Sequence, residues 1–300
     1  MVKELAVRVL AEDTVGFETP FLGQHGISLL VDVVSVDGEP ERSTRILMDV
    51  GQHPAPLLHN MQLMEIDPAT IDMVVLTHCH YDHTQGLVEI LEAIDRPGIP
   101  VVAHSDIFRP NFEITPRLRP IGVPPADREE RIEAAGAHLM LVRAPLQLLP
   151  GVTTSGEVAR TTTFEGANRG LFTLRGGVPA PDPMMDDLSL YVIVEGQGIV
   201  VLTGCSHAGI VNILRHARTV CAQGTPGTHG IAAVMGGLHL IVADDETIES
   251  TVTGLREESV EQILAGHCTG FRAQAALHRE YGDRFQPLHT GLVARWPEDR

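Results

Sequence analysis

Thr77-His78-Cys79-His80-Tyr81-Asp82-His83 places three imidazoles and a carboxylate within six positions. The apolar run Met73-Val74-Val75-Leu76 precedes it as a strand. Leu87, Ile90, Leu91 and Ile94 follow at the i, i+3, i+4, i+7 spacing of an amphipathic helix. The cluster therefore belongs on a strand-to-helix loop, with its side chains projecting from a sheet edge. Neutral imidazoles and a carboxylate suit zinc-like divalent ions. Three histidines and an aspartate are too many for one tetrahedral ion that must keep a position open. The spacing argues for two neighbouring ions sharing this loop.

Histidine returns at three further strand ends. His207 follows the run Ile199 to Thr203, His239 follows Ile231 to Met235, and His267 follows Gln262 to Ala265, each with a glycine close by. Glycine lets the backbone turn sharply and approach an ion closely. A single histidine at a strand end is ordinarily a hydrogen-bonded structural residue. Four strand ends converging on histidine are hard to explain that way.

Charge and composition exclude several classes. The net charge of −17 repels phosphate backbones, so no nucleic-acid partner is expected. A small anion can still enter a metal-lined pocket, where the ions dominate the field. The N-terminal residues Met1-Val2-Lys3-Glu4-Leu5 show no signal-peptide pattern, and no run approaches a membrane span. Cys79, Cys205 and Cys268 sit inside the histidine loops rather than at framework spacings, and Cys221 stands apart. That usage predicts a reduced, cytoplasmic protein without structural disulfides or membrane contact. A homodimer is the default expectation for a soluble enzyme.

Along the chain, Leu5 to Leu10, Ile27 to Val36 and Thr44 to Met48 read as strands, with Asp37-Gly38 as a turn. A helix is expected from Pro54 to about Glu65. From Ser105 to about Met185 prolines and arginines cluster and aliphatic periodicity thins. A short helix is expected from Asp127, where Glu130 completes a capping-box-like pair. The remainder of 105–185 reads as long loops, the pattern of a lid or substrate-selecting segment. Regular elements then resume, with strands at Leu188 to Val194, Ile199 to Thr203, Ile231 to Met235 and Gln262 to Ala265. Strands and helices mix in both halves and no linker divides them. The expectation is one α/β domain over residues 1–300, a four-layered αββα sandwich.

The H-x-H-x-D-H order of residues 78–83 resembles the signature of the metallo-β-lactamase superfamily. Gly26-Ile27-Ser28-Leu29-Leu30, Asp49-Val50-Gly51-Gln52, Leu57-Leu58-His59-Asn60, Asp186-Asp187-Leu188-Ser189-Leu190, Thr203-Gly204-Cys205-Ser206-His207-Ala208-Gly209-Ile210-Val211-Asn212, Gly236-Gly237-Leu238-His239-Leu240 and Gly266-His267-Cys268-Thr269-Gly270 narrow it. Together they resemble the branch labelled after a dihydropterin-methyl-(ribofuranosyl)aminobenzene-phosphate synthase. The resemblance runs from about Gly23 to His267 and implies the same αββα fold. It implies that His78, His80 and His207 hold one ion and that Asp82, His83 and His267 hold the second. Zinc is the first choice, with manganese or iron as alternatives. Asp49 resembles the family's aspartate that orients a metal histidine. In many relatives a Thr-Gly-Asp end supplies a bridging aspartate, whereas this strand ends Thr203-Gly204-Cys205. Either Cys205 ligates as thiolate, or Asp187 reaches in from the adjacent strand, or His207 serves with a bridging water.

A water shared by two such ions would lose a proton near neutral pH and act as nucleophile on a small-molecule ester. Asp82 would ligate and orient that nucleophile, and His239 and His25 are candidates for contact with the substrate. The leading expectation is a dinuclear metal hydrolase of a phosphoester or phosphodiester. The phosphate preference comes from the branch label and the arginines of residues 105–131. Carboxylic-ester, thioester or lactone hydrolysis on the same ions is the alternative. A non-catalytic metal-binding or sensing module is the alternative of another class. An oxygen-reducing di-iron protein would favour a glutamate in place of His80 and an attached flavin domain, and the sequence shows neither.

Overall fold

In the computed structural model, which describes residues 1–35, 42–166, 170–224 and 230–297, each central strand alternates between two apolar clusters. Along Ser28–Ser35, Leu29, Val31 and Val33 enter one cluster and Leu30 another. Arg42–Met48 divides Ile46 and Met48 from Leu47 in the same way. In the second half, Leu190, Val192 and Val194 join the cluster of Leu29, while Tyr191 and Ile193 face a third. The shared cluster is filled from both halves and lies between two sheet layers. Pro54–Leu63 and Leu87–Ile94 close the second cluster. Ile210–Gly224, Asp245–Glu257 and Phe271–Tyr281 close the third. Three apolar interfaces define four layers, the expected αββα sandwich. Strands buried on both faces read as continuous apolar runs, which is why they are legible in sequence.

Strand order brings the histidine loops together. The N-terminal layer runs His138–Val142, Pro100–His104, Met73–Val75, Arg42–Met48, Ser28–Ser35, Val2–Ala11. The C-terminal layer runs Phe285–Pro287, Gln262–Gly266, Ile231–Gly237, Gly198–Thr203, Ser189–Val194. One parallel pair, Val2 opposite Val194, joins them. Arg42–Met48, Met73–Val75 and Pro100–His104 are parallel to one another, as are Gly198–Thr203, Ile231–Gly237 and Gln262–Gly266. Loops leaving the carboxyl ends of parallel strands share one edge, where ligand sites form in α/β sheets.

The 105–185 segment holds more regular structure than its sequence suggests. His138–Val142 extends the main sheet, Val152–Thr154 pairs with Ser189–Val194, and Phe112–Glu113, Arg119–Pro120, Leu171–Arg175 and Val178–Pro181 form a separate four-stranded sheet. Most of these strands are short and partly exposed, so neither length nor clean alternation marks them. The helix expected from Asp127 starts later, as Glu129–Ala134 with Arg128 at its N-cap. Asp127 caps a different helix: its Oδ2 accepts from Gly86 N at 3.0 Å and its Oδ1 from Val88 N at 2.9 Å, at the start of Leu87–Ile94. A tertiary partner has outcompeted the local capping pattern. The turn expected at Asp37-Gly38 lies outside the described residues. Among the described residues no helix is long and apolar enough to cross a membrane.

Candidate metal centre

The centre is assembled around Asp49, which is fully buried and has a left-handed φ of 59° just beyond its strand. Its Oδ1 accepts from Thr77 N, and its Oδ2 accepts from both Thr77 Oγ1 and His83 Nδ1, each at 2.7 Å. With its hydroxyl proton given to Asp49, Thr77 Oγ1 accepts from His78 Nδ1 at 3.0 Å. One carboxylate therefore sets the tautomers of two histidines and leaves each Nε2 with a lone pair. Gly204 makes this approach possible, since a Cβ there would lie 2.2 Å from Thr77 Oγ1 and 3.0 Å from Asp49 Oδ2.

His80 is held from the other side. Its Nε2 donates to Asn111 Oδ1 at 3.2 Å, leaving Nδ1 as the coordinating atom. Asn111 Nδ2 in turn donates to Asp182 Oδ2 at 2.7 Å, which also accepts from Arg109 Nε at 2.7 Å. Arg109 Nη2 reaches Asp186 Oδ1 at 2.7 Å, and Asp186 Oδ2 accepts from Cys79 N at 2.9 Å. Arg109 is thus a mostly buried brace behind the metal loop rather than a phosphate contact. Arg119 pairs with Glu113 at 2.8 Å and lies over the Tyr81 ring, 5.7 Å from its centroid.

The predicted ligands converge as two sets. The rings of His78, His80 and His207 lie 4.6–4.8 Å apart, centroid to centroid, and their nitrogens cluster within 4.8 Å. In the second set, Asp82 Oδ2 lies 3.3 Å from His267 Nε2 and 3.6 Å from His83 Nε2. Burial works against Asp82 ionising, but His83 and His267 outweigh it and hold the carboxyl well below the usual range. His25 Nε2 also lies 3.3 Å from Asp82 Oδ2. Asp13 stands behind both flanking imidazoles, its Oδ2 2.8 Å from His267 Nδ1 and its Oδ1 2.9 Å from His25 Nδ1.

His239 packs against His207, with ring centroids 4.1 Å apart, and its backbone N–H donates to Cys268 Sγ at 3.3 Å. Cys205 Sγ lies 3.2 Å from His83 Nε2. Asp187 Oδ2 accepts from Ala208 N at 2.9 Å, beneath the turn that carries His207. Burial pushes the Asp187 carboxyl up to about 6.

The donor set fits divalent ions. His78 Nε2, His239 Nδ1 and Asp187 Oδ1 are buried without a hydrogen-bond partner among the described residues. Burial keeps His78 neutral and holds His80 down to about 4, the uncharged forms that ligate. An orphaned lone pair in a buried cluster of imidazoles is a costly arrangement that a cation relieves. Left-handed φ values at Ser206, His239 and His267, 61°, 50° and 50°, add backbone strain at the same strand ends.

Two cavities flank the cluster. One of about 500 Å³ is lined by Phe164, Glu165, Ser206, His207, His239 and Thr247. The other, about 1030 Å³, runs from Tyr81 and Asn111 past Ile114, Leu118 and Leu174 and is mostly apolar.

The sequence reading missed Asp13, Asn111 and Asp182. Asp13 carried a usable signal, because Glu12-Asp13 follows the strand Val2–Ala11 as the histidines follow theirs. Asn111 and Asp182 sit in proline-rich stretches with no periodicity to flag them.

An αββα sandwich whose histidine loops meet at one sheet edge defines a class, and sequence comparison agrees. The profile describing the metallo-beta-lactamase superfamily matches residues 38–161. The chain belongs to that superfamily. It is 36% identical over 298 residues to 7,8-dihydropterin-6-methyl-4-(beta-D-ribofuranosyl)-aminobenzene-5′-phosphate synthase of Methanocaldococcus jannaschii, covering 98% of each chain. An uncharacterised protein of the same organism is 28% identical over 287 residues, covering 96% of this chain and 98% of that one. Among solved structures, Tm1679, a metal-dependent hydrolase of the beta-lactamase superfamily, matches with a TM-score of 0.77 at 26% identity, covering 97% of this chain and 98% of that one. The metallo-beta-lactamase fold protein YhfI from Bacillus subtilis shares the fold, with a TM-score of 0.56 at 13% identity and coverage of 98% and 99%.

Proposed function

We propose that this chain is a dinuclear metal-dependent hydrolase of a small ester, with phosphoesters and phosphodiesters as the leading substrate class. The observation that carries the proposal is the convergence of His78, His80 and His207 beside Asp82, His83 and His267, two ligand sets built on one loop. The first set would hold one ion and the second its neighbour, zinc before manganese or iron. When bound, the ions would bring the pKa of a shared water toward neutrality and polarise the substrate oxygen. Asp82, kept ionised by its histidine neighbours, orients that water and accepts its hydrogen bond. Asp49 and Asp13 fix the imidazole tautomers, so the ligating nitrogens need no reorganisation. His239 faces one cavity and His25 stands at the mouth beside Asp82; these are the groups placed to contact the substrate's oxygens.

The phosphate preference rests on the Methanocaldococcus jannaschii relative, whose name is that of a synthase forming a 5′-phosphate compound. The arginines of residues 105–131 lend it little, because Arg109 and Arg119 already hold carboxylates. A second reading, hydrolysis of a carboxylic ester, thioester or lactone, is favoured by the apolar groove that opens beside Tyr81 and Asn111. A small-molecule substrate, with no nucleic acid or membrane as partner, suits either reading.

The test is metal content of protein purified without added metal, together with rates on p-nitrophenyl phosphodiester and carboxylic-ester substrates. Two ions per chain and a phosphodiester rate abolished by His80→Ala are expected. Ester or lactone turnover alone would move the substrate class. No bound metal and no turnover would remove the hydrolase reading.

A further inference from the structure

We propose that Cys205 ligates the second metal ion, so that the centre is a nitrogen–oxygen–sulfur site whose sulfur stands at the meeting point of both ligand sets. The inference deepens the dinuclear reading above and rests on it.

Geometry carries the argument. Cys205 follows Gly204 at the end of Gly198–Thr203 and is buried. A cysteine used as a small core residue would face aliphatic carbons. This one faces imidazole nitrogens: its Sγ lies 3.2 Å from His83 Nε2 and groups within 4.8 Å of ligand atoms of His78, His207, His239 and His267. Because Asp49 occupies His83 Nδ1, the nitrogen turned toward the sulfur is the one with the lone pair. His78 Nε2, buried and unpartnered, enters the same group.

Spacing agrees with a common ion. A tetrahedral ion with bonds of about 2.0–2.3 Å keeps its ligand atoms about 3.3–3.7 Å apart. Here Cys205 Sγ to His83 Nε2 is 3.2 Å, His83 Nε2 to Asp82 Oδ2 is 3.6 Å, and Asp82 Oδ2 to His267 Nε2 is 3.3 Å. These are the edges of one coordination polyhedron. Cys268 is engaged differently. Its sulfur accepts from His239 N at 3.3 Å and donates to the Cys205 carbonyl at 3.5 Å, in a space that exists because residue 237 is glycine. Cys268 supports the turn, and Cys205 faces the ion.

Ligation forms a metal–sulfur bond as the thiol proton leaves to solvent, so uptake at Cys205 releases one proton. A thiolate also biases the site toward zinc, iron or cobalt and away from manganese or magnesium.

The test uses chelator-treated protein reloaded with cobalt(II). A near-ultraviolet thiolate-to-cobalt band is expected in the parent and in Cys268→Ser, and its loss in Cys205→Ser and Cys205→Asp. X-ray absorption on the zinc-loaded parent needs no variant and should show a sulfur scatterer at about 2.3 Å. Two ions bound with neither the band nor the sulfur scatterer would overturn the ligand role while leaving the dinuclear reading intact. A band lost in Cys268→Ser and kept in Cys205→Ser would transfer the role to Cys268 and overturn the proposal. Failure of the parent to bind metal at all would overturn both readings.

Discussion

Asp49 and His83 meet at 2.7 Å with both side chains fully excluded from solvent, and through Thr77 the same carboxylate also sets His78. Two imidazoles, one from each ligand set, are thus aligned by one residue outside the H-x-H-x-D-H loop. Asp49→Asn would present an N–H₂ group to the His83 N–H or the Thr77 hydroxyl and misalign at least one of them. Metal affinity should fall by about 10–100-fold, the usual consequence of losing a partner behind a ligand. Competition against a calibrated chelator measures this. Parent-like affinity in Asp49→Asn would mean that the histidines are held by packing alone.

The loop itself was legible because its meaning is local. Residue type, order and the flanking strand and helix periodicities all lie between Met73 and Ile94. The sandwich was legible for a similar reason, since strands buried on both faces stay apolar throughout. Supporting residues were opaque because their partners are distant in sequence. Asp13 acquires its role only when folding brings it to His267, 254 positions away. Asp182 matters only once Arg109 and Asn111 arrive beside it. Arg109 shows the converse error, because an arginine in a proline-rich segment suggests solvent or phosphate until burial shows it facing two carboxylates.

That buried cation gives a test that separates brace from substrate contact. Arg109 spans Asp182 and Asp186 and also donates to the Asp106 carbonyl. Arg109→Ala strands two buried carboxylates, and breaking such a pair costs about 3–5 kcal/mol. Arg109→Lys should restore little, because an ammonium cannot reproduce the planar fork. Denaturant unfolding of the metal-free proteins measures the loss. A variant of unchanged stability with a raised KM would instead make Arg109 a substrate residue.

Gly204 offers a steric test at the centre's tightest point. An added Cβ would sit 2.2 Å from Thr77 Oγ1, and both Thr77 and Asp49 are fully buried, so neither can yield cheaply. Gly204→Ala should cost about 1–3 kcal/mol by overpacking and weaken metal binding as Thr77 shifts. Gly98→Ala is the control, since no atom lies within 4 Å of its Cβ. Equal metal affinity in Gly204→Ala and the parent would show that the loop tolerates displacement.

Removing metal should destabilise the fold, because the orphaned His78 Nε2 and its crowded imidazole neighbours have no substitute partner. A ligand at 1,000 times its Kd contributes about 4 kcal/mol to stability. Dialysis against a chelator should therefore lower Tm by several degrees, and added zinc should restore it. An unmoved Tm, with metal removal verified by elemental analysis, would mean that the cluster is stable empty and that ions are not part of its design.

The apolar groove should decide the substrate's far end. Ile114, Leu118 and Leu174 line it, Tyr81 and Asn111 join it to His80, and Leu118 is 71% exposed. A substrate whose reacting bond lies at the metal loop would lay its remaining bulk along these side chains. Leu118→Glu places a charge where that bulk would rest and leaves every metal ligand untouched. For an ester with a large apolar group, KM should rise about tenfold, since one apolar contact in a pocket is worth about 1–3 kcal/mol. A short ester that cannot reach Leu118 should show no such rise. Steady-state kinetics on the two esters separates the outcomes. Equal KM changes for both would place the substrate in the smaller cavity beside His239 and leave the groove without a part in recognition.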